Sequence, residues 1–582
     1  MRKLSRVLCG SLAASVMFVA VCGAGALAGD KQTLEKGARA IRQGEFEAAE
    51  KIYRALVEQN PKDIPARLGL SYALLKQRKL GDSFEESARV LKLDPNSSRA
   101  RALLGSALLT SGDFKNSTEQ FRIALTIKDD EALAIAGLSM INFYENRPSI
   151  ALSGLRRAVY LDPREPDFIF AYAQAAARAE RYREAADAYE DFLRIAPRTD
   201  ADRRARIRGL ISFLRYLGAQ RSLYLAAGSS HATFPFELSN SRPIVSVRIN
   251  GAKTPLRFVV DTGSGMCVLS TVAAERLGIK PIAEGGMARA VGGGGRFPII
   301  YGFLSSLQMD DVRVENVPVY IRQFHNQQEP VDGYIGLSVL SKYVASVDYG
   351  TKEMTLVRNQ DRPATARPFT DSIVPLNSNV AAETQDAPPT VSTLIATPTP
   401  ERPVLKSAPS PSEAASASNA KRSYEFPIRA TSSGFWSSAV ILDGVEKPLN
   451  FIVDTGASIS VISAQLAKTE DMSRFEQKTR LKVFGAAGVS EDVTTLLLPR
   501  VTFGDYTHSN LSAAVLDMSA INETSGFEQT GIIGGNVLRR FRVTFDFQRG
   551  LVRLDPLTTQ PAPVSTAPPR NANITPASGA TP

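Results

Sequence analysis

Cysteine, histidine and tryptophan are scarce in this chain. Its 582 residues include three cysteines, three histidines and one tryptophan. Cys9 and Cys22 fall within an N-terminal segment that we expect to be removed, so the mature chain would keep only Cys267, predicted as a buried, inert thiol. A single cysteine excludes a disulfide framework within one chain. The histidines lie far apart in sequence, so we expect no zinc site, no other metal and no cofactor.

The chain also lacks a block of charge of one sign. It carries 69 Lys and Arg against 59 Asp and Glu, a formal net charge of +10, and these charges are spread along the whole sequence. The one local enrichment, residues 203–208, falls on a single predicted helix. Nucleic-acid binding would need clustered basic residues with interleaved aromatics, so we expect no nucleic-acid partner.

An uncharged apolar run follows three basic residues at the N-terminus. Residues 1–29 begin with Arg2, Lys3 and Arg6 and finish with small residues, which is the layout of a secretory signal peptide. This predicts export to the periplasm or the extracellular space. Two alternatives are an uncleaved membrane anchor, since residues 7–29 could nearly span a bilayer, and lipid modification of Cys22, which the larger Val21 before it disfavours.

A repeat of 34 residues runs through residues 30–198. Four prolines, Pro61, Pro95, Pro163 and Pro197, are separated by 34, 68 and 34 residues. Two sets of small residues share this period: Gly37, Ser71, Gly105, Ser139 and Ala173, and Ala49, Ser83, Ser117, Ala151 and Ala185. Small residues let paired helices approach closely, and a proline ends each second helix. The pattern predicts about five helical hairpins and resembles tetratricopeptide repeats, which implies a surface for a protein partner.

The remaining segments differ in composition. Residues 199–230 are predicted as a capping helix, extending to about Ala226, and a linker. Residues 231–358 and 424–556 alternate apolar and polar positions, which favours β-strands. Between them, residues 359–423 contain ten prolines and are expected to be a disordered linker, and residues 557–582 a disordered tail. The predicted class is a multidomain chain: an all-α solenoid followed by two all-β domains.

The two β-rich segments are copies of each other. Residues 256–263 align with residues 449–456 at an offset of 193, and residues 333–336 align with residues 531–534 at an offset of 198. Both copies carry Asp-Thr-Gly directly after an apolar strand. About 30 residues later both carry glycines at a predicted hairpin tip, namely Gly292, Gly293, Gly294 and Gly295 in the first copy and Gly485 and Gly488 in the second.

Each copy resembles the retroviral-type (retropepsin-like) aspartic proteases, especially the bacterial ones. The resemblance implies that Asp261 and Asp454 face each other as one catalytic pair, and that the glycine-bearing hairpins are flaps that close over substrate. It also assigns active-site loop support to Thr262, Gly263 and Ser264, and to Thr455, Gly456 and Ala457. In this reading the threonine hydroxyls cross-link the two loops, and the glycines permit a tight turn and close backbone approach.

Paired carboxylates suit peptide hydrolysis because two adjacent carboxyl groups cannot both ionise cheaply. They share a proton, so one acts as a base and the other as an acid at the same pH. We therefore predict an exported aspartic endopeptidase acting on polypeptides. A flexible linker of 65 residues spans roughly 45 Å, so pairing within one chain is feasible, and we prefer a single-chain pseudo-dimer to a homodimer.

A different class of function remains as the alternative. Tetratricopeptide-like repeats are generally protein-interaction surfaces, and a protease fold can persist without its activity. The rival hypothesis is a noncatalytic envelope scaffold whose solenoid and β-domains both bind partners. Contact with a membrane is expected only if the N-terminal segment stays uncleaved.

Overall fold

The computed structural model describes residues 31–220, 222–289, 291, 295–325, 330–359, 423–446, 449–485, 488–557 and 574–575. The predicted signal peptide, nearly all of the predicted linker and most of the predicted tail lie outside the described residues. Within the described ranges, no helix combines the length and the apolar character needed to cross a membrane.

Helices paired as consecutive hairpins form the N-terminal part of the described chain, residues 31–219. They are α1 (31–43), α2 (Phe46–Gln59), α3 (Ile64–Lys76), α4 (Leu80–Leu93), α5 (Ser98–Ser111), α6 (Phe114–Ile127), α7 (Ala132–Tyr144), α8 (Pro148–Leu161), α9 (Pro166–Arg178) and α10 (Tyr182–Ile195), with α11 (Ala201–Ala219) after the last hairpin. Helices α2, α4, α8 and α10 each end two residues before a periodic proline, since proline disfavours helical backbone in the residue before it.

The periodic small residues lie where the helices of a hairpin touch. A Cβ added at Gly105 would lie 2.8 Å from the ring of Phe121 on the paired helix, closer than real side chains pack. In another hairpin the Ser71 hydroxyl donates to the Ser83 carbonyl oxygen at 3.0 Å. Small side chains at these positions thus allow the close helix packing that the repeat predicted.

The first β-domain follows α11. Its elements are β1 (Leu225–Gly228), β2 (His231–Pro235), β3 (Glu237–Ser239), β4 (Arg242–Ile249), β5 (Leu256–Val260), β6 (Cys267–Ser270), α12 (Thr271–Arg276), β7 (Ala283–Arg289), β8 (Arg296–Met309), β9 (Val312–Arg322), β10 (Gly333–Ile335), α13 (Leu337–Leu340), β11 (Tyr343–Asp348) and β12 (Glu353–Arg358). At its centre β10 pairs parallel with β5 and antiparallel with β6, and β6 pairs parallel with β9.

The second β-domain repeats this order. Its elements are β13 (Tyr424–Pro427), β14 (Arg429–Ala430), β15 (Trp436–Leu442), β16 (Leu449–Val453), β17 (Ser460–Ser463), α14 (Ala464–Thr469), a 3-10 turn (Met472–Phe475), β18 (Glu476–Gly485), β19 (Gly488–Phe503), β20 (Tyr506–Leu516), α15 (Ser519–Ser525), β21 (Gly531–Ile533), α16 (Gly535–Leu538), β22 (Phe541–Asp546) and β23 (Leu551–Pro556). Here β21 pairs parallel with β16 and antiparallel with β17, and β17 pairs parallel with β20. The matching pairings show that the sequence repeat is also a structural repeat.

Strands from both β-domains form one six-stranded sheet in the order β13-β23-β22-β11-β12-β2. At its middle β11 and β22 pair antiparallel, and Ser346 lies opposite Thr544. Their hydroxyls are 2.7 Å apart, and the two residues are related by the same offset of 198 as the copies themselves. One hydrophobic core continues under this sheet from Met354 in the first domain to Phe545 in the second.

The predicted fold class is confirmed, with local differences. Helix α11 ends at Ala219 rather than near Ala226, and residues Leu225–Gly228 form β1, which pairs with β9. The first β-domain therefore begins within the predicted linker. In the predicted disordered tail, Ile574–Thr575 forms a further strand, β24, along the edge of β18, because an edge strand offers unpaired backbone groups.

Candidate active site

The two Asp-Thr-Gly loops begin where buried central strands end. Strands β5 and β16 consist largely of apolar residues and lie in the middle of their sheets. The Asp261 amide donates to the Ile335 carbonyl oxygen, and the Asp454 amide to the Ile533 carbonyl oxygen, each at 3.0 Å. Equivalent hydrogen bonds hold both aspartates at the same point of their domains, directed at the domain interface.

The structure brings the side chains of Asp261 and Asp454 together. Their carboxyl groups lie close enough that one backbone amide reaches both. The Gly263 amide donates to Oδ1 of Asp261 at 2.9 Å and to Oδ1 of Asp454 at 3.1 Å. A Cβ at Gly263 would collide with the Asp454 carboxyl group, and one at Gly456 with that of Asp261. Both glycines are therefore required by close approach rather than by an unusual φ.

Two buried threonines join the loops from opposite sides. The Thr262 hydroxyl donates to the Val453 carbonyl oxygen at 2.8 Å, and the Thr455 hydroxyl donates to the Val260 carbonyl oxygen at 2.6 Å. Each hydroxyl also accepts from the other threonine's amide, at 3.0 and 3.2 Å. These four reciprocal hydrogen bonds fix the spacing of the two aspartates.

The two carboxyl groups have different surroundings despite their symmetry. Burial and the neighbouring Asp454 carboxyl raise the pKa of Asp261 well above its ordinary value. Burial also raises the pKa of Asp454, but backbone amides of Gly456, Ala457 and Gly263 donate to it and favour its charged form. Asp261 receives only the Gly263 amide. Because hydrogen bonds to a carboxylate stabilise the ionised state, the shared proton favours Asp261.

Ser264 and Ala457 follow the two glycines and differ in what they do. The Ser264 hydroxyl donates to the Met266 carbonyl oxygen at 2.9 Å, within its own loop. Ala457 has no such group, and its amide instead supports Asp454. This one-residue difference between the copies accompanies the electrostatic difference between the two carboxyl groups.

The predicted flap glycines that the structure describes lie at hairpin tips. Strands β7 and β8 form the first hairpin, whose tip includes Gly295, while Gly292, Gly293 and Gly294 lie outside the described residues. Strands β18 and β19 form the second, in which Gly485 pairs with Gly488. Both hairpins contribute to the wall of one cavity.

A cavity of about 1480 Å³ opens beside the carboxyl groups. Asp454, Gly263 and Gly456 lie on one side, and hairpin residues such as Phe297 and Phe484 on another. Helical residues complete the wall: Met140, Phe143, Phe170, Arg178 and Leu210. The solenoid therefore borders the same space as Asp454, a placement that the sequence did not predict.

Sequence reasoning also missed Arg322, which ends β9 and lines this cavity. The aligned copies held a signal for it. Ser270 pairs with Arg322 in the first domain, whereas the corresponding Ser463 pairs with Leu516 in the second. A charged residue at a position that is apolar in the other copy marks a difference between the two sides of the cavity.

The other reactive side chain considered from the sequence is buried. Cys267 has no exposed surface, and the Gly336 amide donates to its sulfur at 3.3 Å. Burial raises the pKa of the thiol to about 11, so the thiolate is rare at neutral pH. The prediction that Cys267 is a buried, inert thiol agrees with this environment.

Comparison with known proteins matches this architecture. An aspartyl protease family model matches residues 245–339 and 438–537, and tetratricopeptide repeat models match residues 40–107 and 141–198. The chain is a tetratricopeptide-repeat module followed by two aspartyl-protease-type domains, which confirms the resemblance inferred from the motifs.

Among solved structures, the chain is similar to a thermophilic tetratricopeptide-repeat protein of Thermus thermophilus, at 20% identity over 31% of this chain and 98% of that one, with a TM-score of 0.27. It is also similar to PilF of Pseudomonas aeruginosa, at 16% identity over 33% of this chain and 87% of that one, with a TM-score of 0.25. MamA of Desulfovibrio magneticus matches at 19% identity over 28% of this chain and 94% of that one, with a TM-score of 0.21. No curated protein matches the chain.

Proposed function

We propose that this protein is an aspartic endopeptidase whose single active site is formed by Asp261 and Asp454. The observation that carries the proposal is the close approach of the two carboxyl groups, which share the Gly263 amide as a donor, at the wall of a large cavity. Two carboxyl groups in contact share one proton, which supplies a general acid and a general base at one pH.

The unequal hydrogen bonding assigns the roles. Asp454, supported by three backbone amides, is the ionised base, and Asp261 holds the proton. A water positioned between them loses a proton to Asp454 as its oxygen bonds to the peptide carbonyl carbon, while Asp261 gives its proton to the carbonyl oxygen. The tetrahedral species then collapses: Asp454 returns its proton to the leaving nitrogen, the C–N bond breaks, and Asp261 regains a proton from a hydroxyl group.

A polypeptide substrate fits this cavity because the helical wall widens it well beyond the two carboxyl groups. We propose that the solenoid contributes to substrate binding directly, since Phe143 and Arg178 border the same space as Asp454. The repeat surfaces away from the cavity are then available for a protein partner.

We further propose that the site works within one chain and that the protein is exported. The shared six-stranded sheet and the reciprocal threonine hydrogen bonds support a single-chain pseudo-dimer. Export rests on the pattern of residues 1–29 alone, and places the enzyme in the periplasm or outside the cell, with membrane attachment only if that segment stays uncleaved.

The test is cleavage of unfolded polypeptides by the wild-type protein and by Asp261→Asn and Asp454→Asn, from acidic to neutral pH. Each substitution is expected to lower kcat by at least about a hundredfold, since it removes an acid or base. Asp311→Asn is the matched control, because Asp311 is exposed on the turn between β8 and β9. Unchanged cleavage in both active-site variants would contradict the proposal and favour the noncatalytic scaffold.

A further inference from the structure

Arg322 holds its positive charge inside the cavity, at the end of β9. Its guanidinium lies 5.4 Å from the ring centre of Phe297 and 5.8 Å from that of Phe324. Both contacts are cation–π interactions, which orient the group without neutralising it. The side chain borders the same space as Gly263 and Asp454.

This guanidinium is incompletely satisfied. Among the described residues it forms no ion pair, and its buried Nε has no hydrogen-bond partner. Its charge acts on the Asp261 carboxyl group only through space, where it lowers the pKa of that group. Arg289 and Lys342, which also line the cavity, are paired with carboxylates, whereas Arg178 donates to a backbone carbonyl oxygen at 2.8 Å. Burying a charge is costly unless a partner compensates it. An anionic group arriving in the cavity would supply that partner.

The second domain has no such charge at the corresponding place. Its equivalent, Leu516, belongs to an apolar cluster with Val461 and Ile532. Arg322 and Leu516 occupy equivalent positions, because each lies opposite the last residue of the strand that follows its Asp-Thr-Gly loop. One side of the cavity therefore presents a cation and the other an aliphatic side chain.

We propose that Arg322 forms a subsite for a carboxylate of the polypeptide substrate, with an apolar substrate side chain accommodated near Leu516 on the other side of the aspartates. This inference rests on the proposed function and adds a substrate class to it. The carboxylate can belong to an Asp or Glu side chain or to a C-terminus. The guanidinium fork matches either one, since it donates two parallel hydrogen bonds to carboxylate oxygens.

The experiment uses the full chain and peptides that differ only at one position, carrying Glu, Gln or Arg at successive distances from an apolar residue. Each is made with a free and with an amidated C-terminus. For wild type we expect kcat/KM to be roughly tenfold or more higher for Glu than for Gln at one position, given the strength of charge-assisted hydrogen bonds. Equal rates with free and amidated ends identify a side-chain carboxylate, whereas loss on amidation identifies a C-terminus.

The decisive variant is Arg322→Leu, which copies the residue of the second domain. It should reduce the Glu-to-Gln ratio to about one, and Arg322→Lys should restore part of it because the charge remains but the planar fork is lost. Arg313→Leu is the control, since Arg313 lies on the same strand in an exposed pair with Glu315. Thermal unfolding reveals whether a variant is simply misfolded, and the rate on the Gln peptide shows how far the loss of the Arg322 charge alters Asp261 itself.

The outcomes separate the two proposals. If wild type cleaves Glu and Gln peptides equally at every position, the carboxylate subsite is wrong while the endopeptidase stands. If wild type cleaves no peptide, the endopeptidase fails, and peptide binding measured by fluorescence anisotropy decides the subsite. Tighter binding of the carboxylate peptide that Arg322→Leu abolishes supports the subsite, and equal or absent binding overturns it.

Discussion

At the scale of single residues, the aspartates show how a symmetric motif becomes an asymmetric pair. The copies carry the same Asp-Thr-Gly, yet Asp454 accepts from three backbone amides and Asp261 from one. The difference arises partly at Ala457, whose amide reaches Asp454. An acid and a base can therefore be distinguished although the sequence motif treats them alike.

This asymmetry predicts the pH dependence of hydrolysis. In the proposed mechanism Asp454 is ionised and Asp261 protonated, so activity should rise with pH through the lower apparent pKa of the pair and fall through the upper one. Both carboxyl pKa values are raised above 3.8, so both limbs should lie above that pH. The measurement is kcat/KM on one peptide from roughly pH 3 to 9. A rate independent of pH over this range would contradict the shared-proton arrangement.

The threonine cross-link gives a second prediction at this scale. Thr262→Val or Thr455→Val keeps the shape but removes a hydroxyl that both donates and accepts in a buried position. Each substitution should lower the free energy of unfolding by about 1 to 3 kcal/mol and reduce kcat by shifting the aspartates. Chemical denaturation and steady-state kinetics would measure both effects.

Serine at the same positions provides the control, because Thr262→Ser retains the hydroxyl. It should keep more activity than Thr262→Val. If the valine variants match wild type in stability and rate, the hydrogen bonds between the loops do not set the geometry of the site.

At the scale of elements, α11 packs against the first of the two glycine-tipped hairpins, which consists of β7 and β8. Phe213 stacks on Tyr301 of β8 with ring centres 4.3 Å apart, and the Arg206 guanidinium donates to the Met287 carbonyl oxygen at 3.1 Å. Gly209 faces the Glu284 carbonyl oxygen so closely that a side chain would collide with it. The first hairpin is thus packed against the capping helix.

We predict that Phe213→Ala loosens this hairpin selectively. Phe213 is buried, with 1% of its surface exposed, and truncating such a ring costs about 3 to 5 kcal/mol where the site cannot collapse. Hydrogen exchange should speed up in residues 283–309, and KM for peptides should rise because the cavity wall is less well ordered.

The second hairpin, residues 476–503, is the internal control, since α11 does not pack on it. Its exchange should speed up much less than that of the first hairpin in Phe213→Ala. Equal acceleration in both hairpins would indicate global destabilisation, and no acceleration in either would show that α11 does not hold the first hairpin.

At the scale of the whole molecule, the helical solenoid and the two β-domains line one cavity. The β-domains share a sheet and a hydrophobic core. The solenoid also contacts the second domain, where Phe114 and Tyr144 pack edge-on against Phe527 with ring centres 4.9 and 5.1 Å away. The Glu528 amide donates to the Thr110 carbonyl oxygen at 2.8 Å. These contacts hold the helical wall against the active-site domains.

A mixing experiment tests whether the site forms within one chain. Asp261→Asn and Asp454→Asn chains, mixed after separate purification, should remain inactive because each chain pairs its own two domains. If the domains exchanged between chains, half of the reciprocal sites would regain both aspartates. Recovered activity would contradict the single-chain pseudo-dimer.

Sequence by itself determined the order of units and the core of the candidate site. Prolines and small residues recurring every 34 residues specified helical hairpins, because helix ends and close helix contacts impose local chemical requirements. The duplicated Asp-Thr-Gly motifs located Asp261 and Asp454 for a similar reason: a tight turn after a buried strand restricts the residues that fit.

Tertiary structure alone decided which surfaces meet. Contacts between residues far apart in the chain determine three features. They are the solenoid wall of the cavity, the packing of α11 against β7 and β8, and the position of Arg322. Such contacts leave no periodic pattern, because a side chain at an interface obeys the geometry of its distant partner rather than the spacing of its neighbours. No sequence pattern singled out Arg322, whose contacts with Phe297 and Phe324 hold its charge in the cavity that Asp454 also lines.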